Sequence, residues 1–371
     1  MDPLGSDSSD WEIVTEPQVH TQDPTTAEDE LAVTSSFWQR RLSARFSWLT
    51  PRVLIIVAWV VALVLFCYFL GVPIDRFQQN LWILSGLLVV GLGNPNRSPW
   101  RLLLDWLPFI LFLYLYDFSR GAAERLNMPT HVTEAIDFDK FVFFGNVPTV
   151  WLQQHLYDPS YVHWWEVITS LTYFSHFVAV WVIAAVLYAT NRDRWVKFAR
   201  RVLVLSFSGL ITFALFPAAP PWWAHTHGYI DYPILRISWR GWDVIGLHIA
   251  GQLIQEGQGV VNDVAAIPSL HTAFAVLISV FFWKSVRWWG KVLLFSYPCV
   301  MAFALVYAGE HFVLDAILGV VYVAGTFLAC NWWESWRAKT KATTKATTKG
   351  TTKAKATAKS PPKQQTPPFV P

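Results

Sequence analysis

Two stretches of this chain put a histidine at the head of an apolar run: Ala266-Ile267-Pro268-Ser269-Leu270-His271 and Glu310-His311-Phe312-Val313-Leu314-Asp315. His311 and Asp315 are four residues apart, so on a helix they share a face, one turn from each other. A carboxylate placed there accepts a hydrogen bond from one imidazole nitrogen. That fixes the tautomer and leaves the other nitrogen free to attack or to carry a proton. Pro268-Ser269 reads as a helix start with Ser269 as its N-cap. The N-terminus of a helix presents unpaired N–H groups and positive potential, which suits a phosphate. Two histidines, one carboxylate and an anion-binding helix end are the parts needed for phosphoryl transfer through a histidine. The residues alone do not say which histidine attacks.

The elements that must position these groups are membrane helices. Hydrophobic residues make up 53% of the chain and charged residues 15%, against about 25% charged in an average soluble protein. Many of the 22 Trp stand at the ends of apolar runs, among them Trp100, Trp164, Trp222, Trp288 and Trp332, as in the aromatic belts of a bilayer interface. Runs of nearly 20 apolar residues are long enough to span. Eight are expected, over 53–70, 80–93, 102–118, 166–189, 202–216, 267–283, 292–307 and 312–330. The expected fold is therefore an all-α, polytopic integral membrane helical bundle of about eight transmembrane helices.

Charge orients it. Basic residues gather at 94–101 (Arg97, Arg101), at 190–201 (Arg192, Arg194, Lys197, Arg200, Arg201), at 284–291 (Lys284, Arg287, Lys291) and after Trp336. With eight spans, the positive-inside rule then puts both termini in the cytoplasm. The loops 119–165 and 217–266 lie outside. Both histidine stretches then arrive at the outer face, at the same membrane depth.

Three regions follow. Residues 1–45 read as an acidic, disordered cytoplasmic tail, without the n- and h-regions of a signal peptide. Residues 46–337 form the transmembrane catalytic domain. Residues 338–371, rich in Lys, Thr and Pro, read as a second disordered tail, either a solvated linker or a segment drawn to anionic lipid. Cys67, Cys299 and Cys330 all fall in apolar runs, which makes them small apolar side chains rather than a disulfide framework.

Ile267-Pro268-Ser269-Leu270-His271 followed by Gly309-Glu310-His311 and Asp315 resembles the second and third motifs of the type 2 phosphatidic acid phosphatase superfamily, over a core of about residues 100–330. Leu270 stands where the commoner form of the second motif, Pro-Ser-Gly-His, has Gly. That variant is similar to the branch containing the inositol phosphorylceramide synthases, as is Leu215-Phe216-Pro217-Ala218-Ala219-Pro220-Pro221-Trp222. The resemblance implies that His311 is the nucleophile forming a phosphohistidine, that Asp315 orients it, and that His271 protonates the leaving oxygen. It also implies a Lys and Arg phosphate clamp that this chain lacks. Leu305 occupies the position of the Arg six residues before the third-motif histidine, and no Lys-x6-Arg-Pro occurs.

Phosphoryl transfer still needs positive charge at the phosphate. Arg236 and Arg240, between the Pro-Pro-Trp-Trp segment and the catalytic Pro-Ser, are the first candidates. Arg120, Lys140, His225 and His227 are the others on the same side. Ser269 is expected to bind phosphate through its hydroxyl and backbone. His176, just inside the fourth span, is expected either at the site or in an interhelical hydrogen bond. The prolines after Phe216 forbid a helix there and would shape the entrance for the substrate.

No His/Cys cluster has a metal-ligand spacing, no Gly-rich nucleotide loop occurs and no nucleic-acid footprint exists beyond the basic tail, so no metal, cofactor or nucleic acid is expected. The expected function is a plasma-membrane phosphotransferase acting on a lipid or polyol phosphoester at the outer face, with a polar alcohol or water as acceptor. Transfer of phosphoinositol or a similar head group comes first. A lipid phosphate or polyprenyl pyrophosphate phosphatase is the close alternative, and a non-catalytic lipid transporter or scaffold the distant one.

Overall fold

The structure, a computed structural model, describes residues 51–70, 76–91, 99–119, 125–258 and 262–358. The acidic stretch 1–45, Arg120 and the end of the chain after Ala358 lie outside the described residues. Thirteen α-helices are described: α1 (Pro51–Leu70), α2 (Arg76–Gly91), α3 (Pro99–Ser119), α4 (Thr133–Val142), α5 (Pro148–Leu156), α6 (Trp164–Thr190), α7 (Arg192–Leu215), α8 (Pro221–Thr226), α9 (Gly241–Val244), α10 (His248–Gln258), α11 (Leu270–Phe282), α12 (Trp288–Tyr307) and α13 (Val313–Ala358). No strand occurs among the described residues, so the all-α membrane architecture stands. α1 crosses the boundary between two units, Met1–Val61 and Ala62–Pro371. The bundle that carries the histidines belongs to the second.

A helix lies over each of the eight stretches read as spans. Four meet the length and hydropathy of a membrane span outright: α6, α7, α12 and the Val313–Lys341 part of α13. Two boundaries differ from expectation. The basic segment 190–201 is not a linker: Asn191 alone separates α6 from α7, closing one helix and capping the next by accepting from Arg194 N at 3.0 Å. A single Asx cap can satisfy one of the orphan N–H groups without a loop. The arginines therefore ride on the first turns of α7. Likewise, α13 continues helical through the Lys/Thr-rich stretch to Ala358, so no helix end marks the boundary placed at 337.

α11 is central, packed between α12 and α13 and against α6 and α7, and α7 also packs on α3 and α13. The largest buried cluster joins Trp106 and Phe109 of α3, Tyr188 of α6, Trp195, Phe198 and Leu205 of α7 and Leu277 of α11. Lipid tails are as apolar as these side chains, so close packing and buried polar bonds, rather than expulsion from water, hold such helices together. Gly319 shows how close the approach is: a Cβ there would come within 2.8 Å of the Ser269 carbonyl. That contact brings the N-terminus of α11 against the first turns of α13.

Exposed tryptophans at helix starts, Trp100, Trp164 and Trp288, match the expected belts, and Trp332 is exposed within α13. The segments around His131, Pro217 and Val264 are joined by backbone hydrogen bonds. Pro217 to Ala219 is stitched to His131 (His131 N to Pro217 O, 2.8 Å; Ala219 N to His131 O, 2.9 Å) and to Val264 and Ala266 (Ala218 N to Val264 O, 2.8 Å; Ala266 N to Ala218 O, 3.1 Å). The prolines do not exclude helix throughout: Pro221 is the first residue of α8, where its missing N–H is no loss and its fixed φ fits.

Candidate active site

The loop from α12 to α13 sets His311. α12 ends at Tyr307, and Gly309 turns the chain at φ +75°. A Cβ on Gly309 would lie 2.8 Å from Ile234 Cγ2 and 2.9 Å from the Leu235 carbonyl, so this position requires glycine on both counts. The turn lets Glu310 N and His311 N share the Leu305 carbonyl at 3.0 and 3.3 Å, as helix C-caps commonly do. His311 and Asp315 do not lie on one helical face, as their spacing implied, because α13 begins only at Val313. Asp315 sits instead in the first turn and reaches back over the helix start. Its Oδ2 accepts from Phe312 N at 2.9 Å and lies 3.1 Å from His311 Nδ1. A carboxylate in this place satisfies an orphan N–H and faces the positive end of the helix dipole. With Nδ1–H donated to Asp315, His311 Nε2 carries the lone pair.

α11 brings in the second histidine. Ser269 is the N-cap as expected, its Oγ 3.4 Å from Thr272 N, and Ser269 N donates to the Asp315 carbonyl at 3.0 Å. The His271 and His311 ring centres stand 5.6 Å apart. The His176 ring of α6 packs on His271 at 3.9 Å, and Tyr173 stacks on its other neighbourhood at 5.1 Å. Three buried polar atoms in this cluster have no hydrogen-bond partner: His176 Nδ1, His271 Nε2 and Asp315 Oδ1. Buried polar atoms rarely stay unpaired. Three of them fall in this one cluster.

The cations expected at the phosphate separate. Arg236 grips Glu310, the neighbour of His311, with Nη2 2.9 Å from Oε2, and lies over the Trp222 ring at 4.6 Å. Ser238 Oγ donates to the same carboxylate at 3.0 Å. Arg240 is directed elsewhere. It is buried, and it donates to the Asp158 and Tyr161 carbonyls at 2.6 and 3.2 Å and pairs with Glu166 at 3.4 Å. Tyr307 OH completes that network at 2.8 Å from Glu166. This joins the end of α12 to the start of α6, and none of its members belongs to the histidine cluster. Of the other candidates, His225 bonds the Ile230 carbonyl and His227 stacks on Trp223. Lys140 is exposed on α4.

Sequence reasoning missed Asp139. This residue of α4 is fully buried and accepts from Val313 N at 3.1 Å and Leu314 N at 3.3 Å, the N–H groups that open α13. Burial pushes its carboxyl up to about 6 from 3.8. The two backbone N–H groups of Val313 and Leu314 temper the rise, and the Asp315 charge adds to it. Asp139 thus holds the α13 start from above while Asp315 holds it from within. Its signal in the sequence was position: it shares the apolar face of α4 with Ala135 and Ile136, where a solvated acid has no place. Gln153 of α5 is a second such group, bridging the Leu235 and Tyr307 carbonyls at 2.8 Å each. No group of three or more His, Cys, Asp or Glu able to hold a metal occurs among the described residues.

Comparison with known proteins places the chain in a family. The sequence profile described as "PAP2 superfamily" matches residues 137–329, a stretch containing Asp139, His176 and both histidine motifs. The chain is 26% identical over 286 residues to a protein of Bacteroides thetaiotaomicron named phosphoinositol dihydroceramide synthase, covering 73% of this chain and 88% of that one. No solved structure matches. With the profile spanning half of the chain and both motifs meeting at one end of a helical membrane bundle, the chain belongs to the PAP2 superfamily and is a membrane phosphatase or phosphotransferase acting on lipid phosphoesters.

Proposed function

We propose that the chain transfers a phosphoinositol-like head group from a donor lipid to the hydroxyl of an acceptor lipid through a phosphohistidine on His311. The observation that carries the reading is the paired histidine site: His311 is held by Asp315 through Nδ1, and the ring of His271 stands 5.6 Å away among unpartnered buried polar atoms. His311 Nε2 attacks phosphorus, and the P–O bond to the donor's alcohol breaks. The departing oxygen takes a proton from His271. The acceptor hydroxyl then gives its proton to His271 and attacks phosphorus, and the P–N bond breaks to restore His311. Arg236, Ser269 N-terminal to α11, and His176 bind the phosphate, with Glu310 holding Arg236 in place until the substrate's oxygens share it. Arg240 supports this site through the Glu166 network rather than touching the phosphate.

The name of the Bacteroides relative supports transfer over hydrolysis. The distribution of basic residues supports an enzyme with both termini in the cytoplasm of a plasma membrane and the histidines at the outer face.

The test is purified protein with phosphatidylinositol as donor, with and without dihydroceramide, and with phosphatidic acid as a separate substrate, beside His311→Ala. Diacylglycerol released from phosphatidylinositol only with the acceptor present, and lost in the variant, is expected. Free phosphate from phosphatidic acid as the main product would make water the acceptor instead. Activity surviving in His311→Ala would remove the phosphohistidine.

A further inference from the structure

An open cavity of about 1150 Å³ lies between α11, α12, α13 and the start of α7. It exceeds the roughly 300–1,000 Å³ of ordinary small-molecule sites. Its wall is hydrocarbon along most of its length, with Val276, Leu294, Phe295, Ile317 and Val320 facing it. One end is lined by Thr272, Val313 and Ala316, sequence neighbours of the catalytic groups.

The opposite end is built differently. Lys197 and Arg201 of α7, Lys284 after α11, and Asn331 and Glu334 of α13 line it. Arg194, one turn before Lys197, donates to Ser285 Oγ at 2.7 Å, which ties the Lys197 and Lys284 segments together. Arg201 is buried. Its terminal nitrogens bond Asn331 Oδ1 at 2.6 Å, Glu334 Oε1 at 3.0 Å and the Lys197 carbonyl at 2.9 Å, while Nε–H has no partner. Glu334 also takes Arg200. One carboxylate thus stands against four cations, and an unpartnered donor is buried at the mouth of an apolar cavity. Hydrocarbon walls ending in excess positive charge match a lipid with an anionic head. A zwitterionic head would bring its own cation against these.

We propose that this cavity is a binding site for an anionic glycerophospholipid of the leaflet at that end, its phosphate between Lys197, Lys284 and Arg201 Nε–H and its chains along α11–α13 towards Thr272. Basic pockets between membrane helices bind anionic head groups in this way. The site is separate from the histidines and does not depend on what they transfer.

The test is native mass spectrometry of the full chain in mild detergent, titrated with phosphatidylglycerol or phosphatidylcholine of identical chains. Wild type is expected to hold one phosphatidylglycerol about 30-fold more tightly than phosphatidylcholine, each lysine contributing roughly 1 kcal/mol. Lys197→Gln with Lys284→Gln should reduce that preference to near parity. Ala302→Phe, which fills the cavity from α12, should remove the tight lipid and leave the lysines intact. Equal affinity for the two lipids in wild type would overturn the proposal. So would a preference that survives the double change, or one abolished instead by Arg236→Gln, which would put the anionic lipid at the histidines.

Discussion

Asp139→Asn isolates a single proton. The Asp139 carboxyl, fully buried, titrates at about 6 in the fold against 3.8 when solvated. The folded state therefore binds this proton more tightly than the unfolded one. The associated stability is complete below about pH 3.8, falls as pH rises between those values, and stays at its low level above about 6. At 1.36 kcal/mol per pKa unit, the full swing is about 3 kcal/mol. From neutrality, about 1.4 kcal/mol is regained by pH 5 and about 2.4 kcal/mol by pH 4. Asparagine keeps an acceptor for Val313 N but carries no proton to titrate. Melting of the purified wild type and Asp139→Asn at pH 7 and pH 5 is the assay. The wild type should gain on the variant by roughly 2 °C on acidification, at about 1.3 °C per kcal/mol when an unfolding entropy of about 2.1 cal/mol/K per residue is scaled to 371 residues. A difference in melting temperature that is the same at both pH values, or that moves the other way, would refute the burial argument.

His271→Ala should lower turnover by about 10²–10⁴, and a substrate whose leaving group needs no protonation, such as a p-nitrophenyl phosphoester, should recover most of the first half-reaction, read as the burst of p-nitrophenol, while the acceptor step still lacks its base. A loss equal for both substrates would remove His271 as the acid. Glu310→Gln breaks the Arg236 pair and should change the apparent KM for the donor more than kcat, read in steady-state kinetics. Gly309→Ala meets two contacts under 3 Å and a left-handed φ. It should destabilise by more than the roughly 1 kcal/mol typical of a point change, seen as a lower melting temperature together with loss of activity. Arg201→Met leaves the half-buried Glu334 with Arg200 and removes the bonds to Asn331 and the Lys197 carbonyl; it should cost about 1 kcal/mol, measured by thermal melting at neutral pH.

The sequence by itself determined the helical membrane class, because apolar runs of span length admit few other solutions in lipid. It also marked His271, His311 and Asp315, the trio proposed to be catalytic, since they are ionisable groups in apolar surroundings, an expensive placement, and they share an end of the bundle whenever the spans alternate. Ser269 as a cap was legible for the same local reason: Pro-Ser before an apolar run is a helix start. Several matters were decided only by the tertiary structure. Asp315 reaches His311 from the first turn of a helix rather than along its face, because the Gly309 turn delays α13 by two residues. Arg236 and Arg240 look alike in sequence, four residues apart in one loop. Only packing against Glu310 in one case and Glu166 in the other sends the first towards the histidines and the second away. Asp139 lies more than 170 residues from the helix it caps, and no local spacing connects them. Short-range periodicity reports what a segment does alone; which distant carboxylate satisfies which N–H or guanidinium is settled when the helices pack.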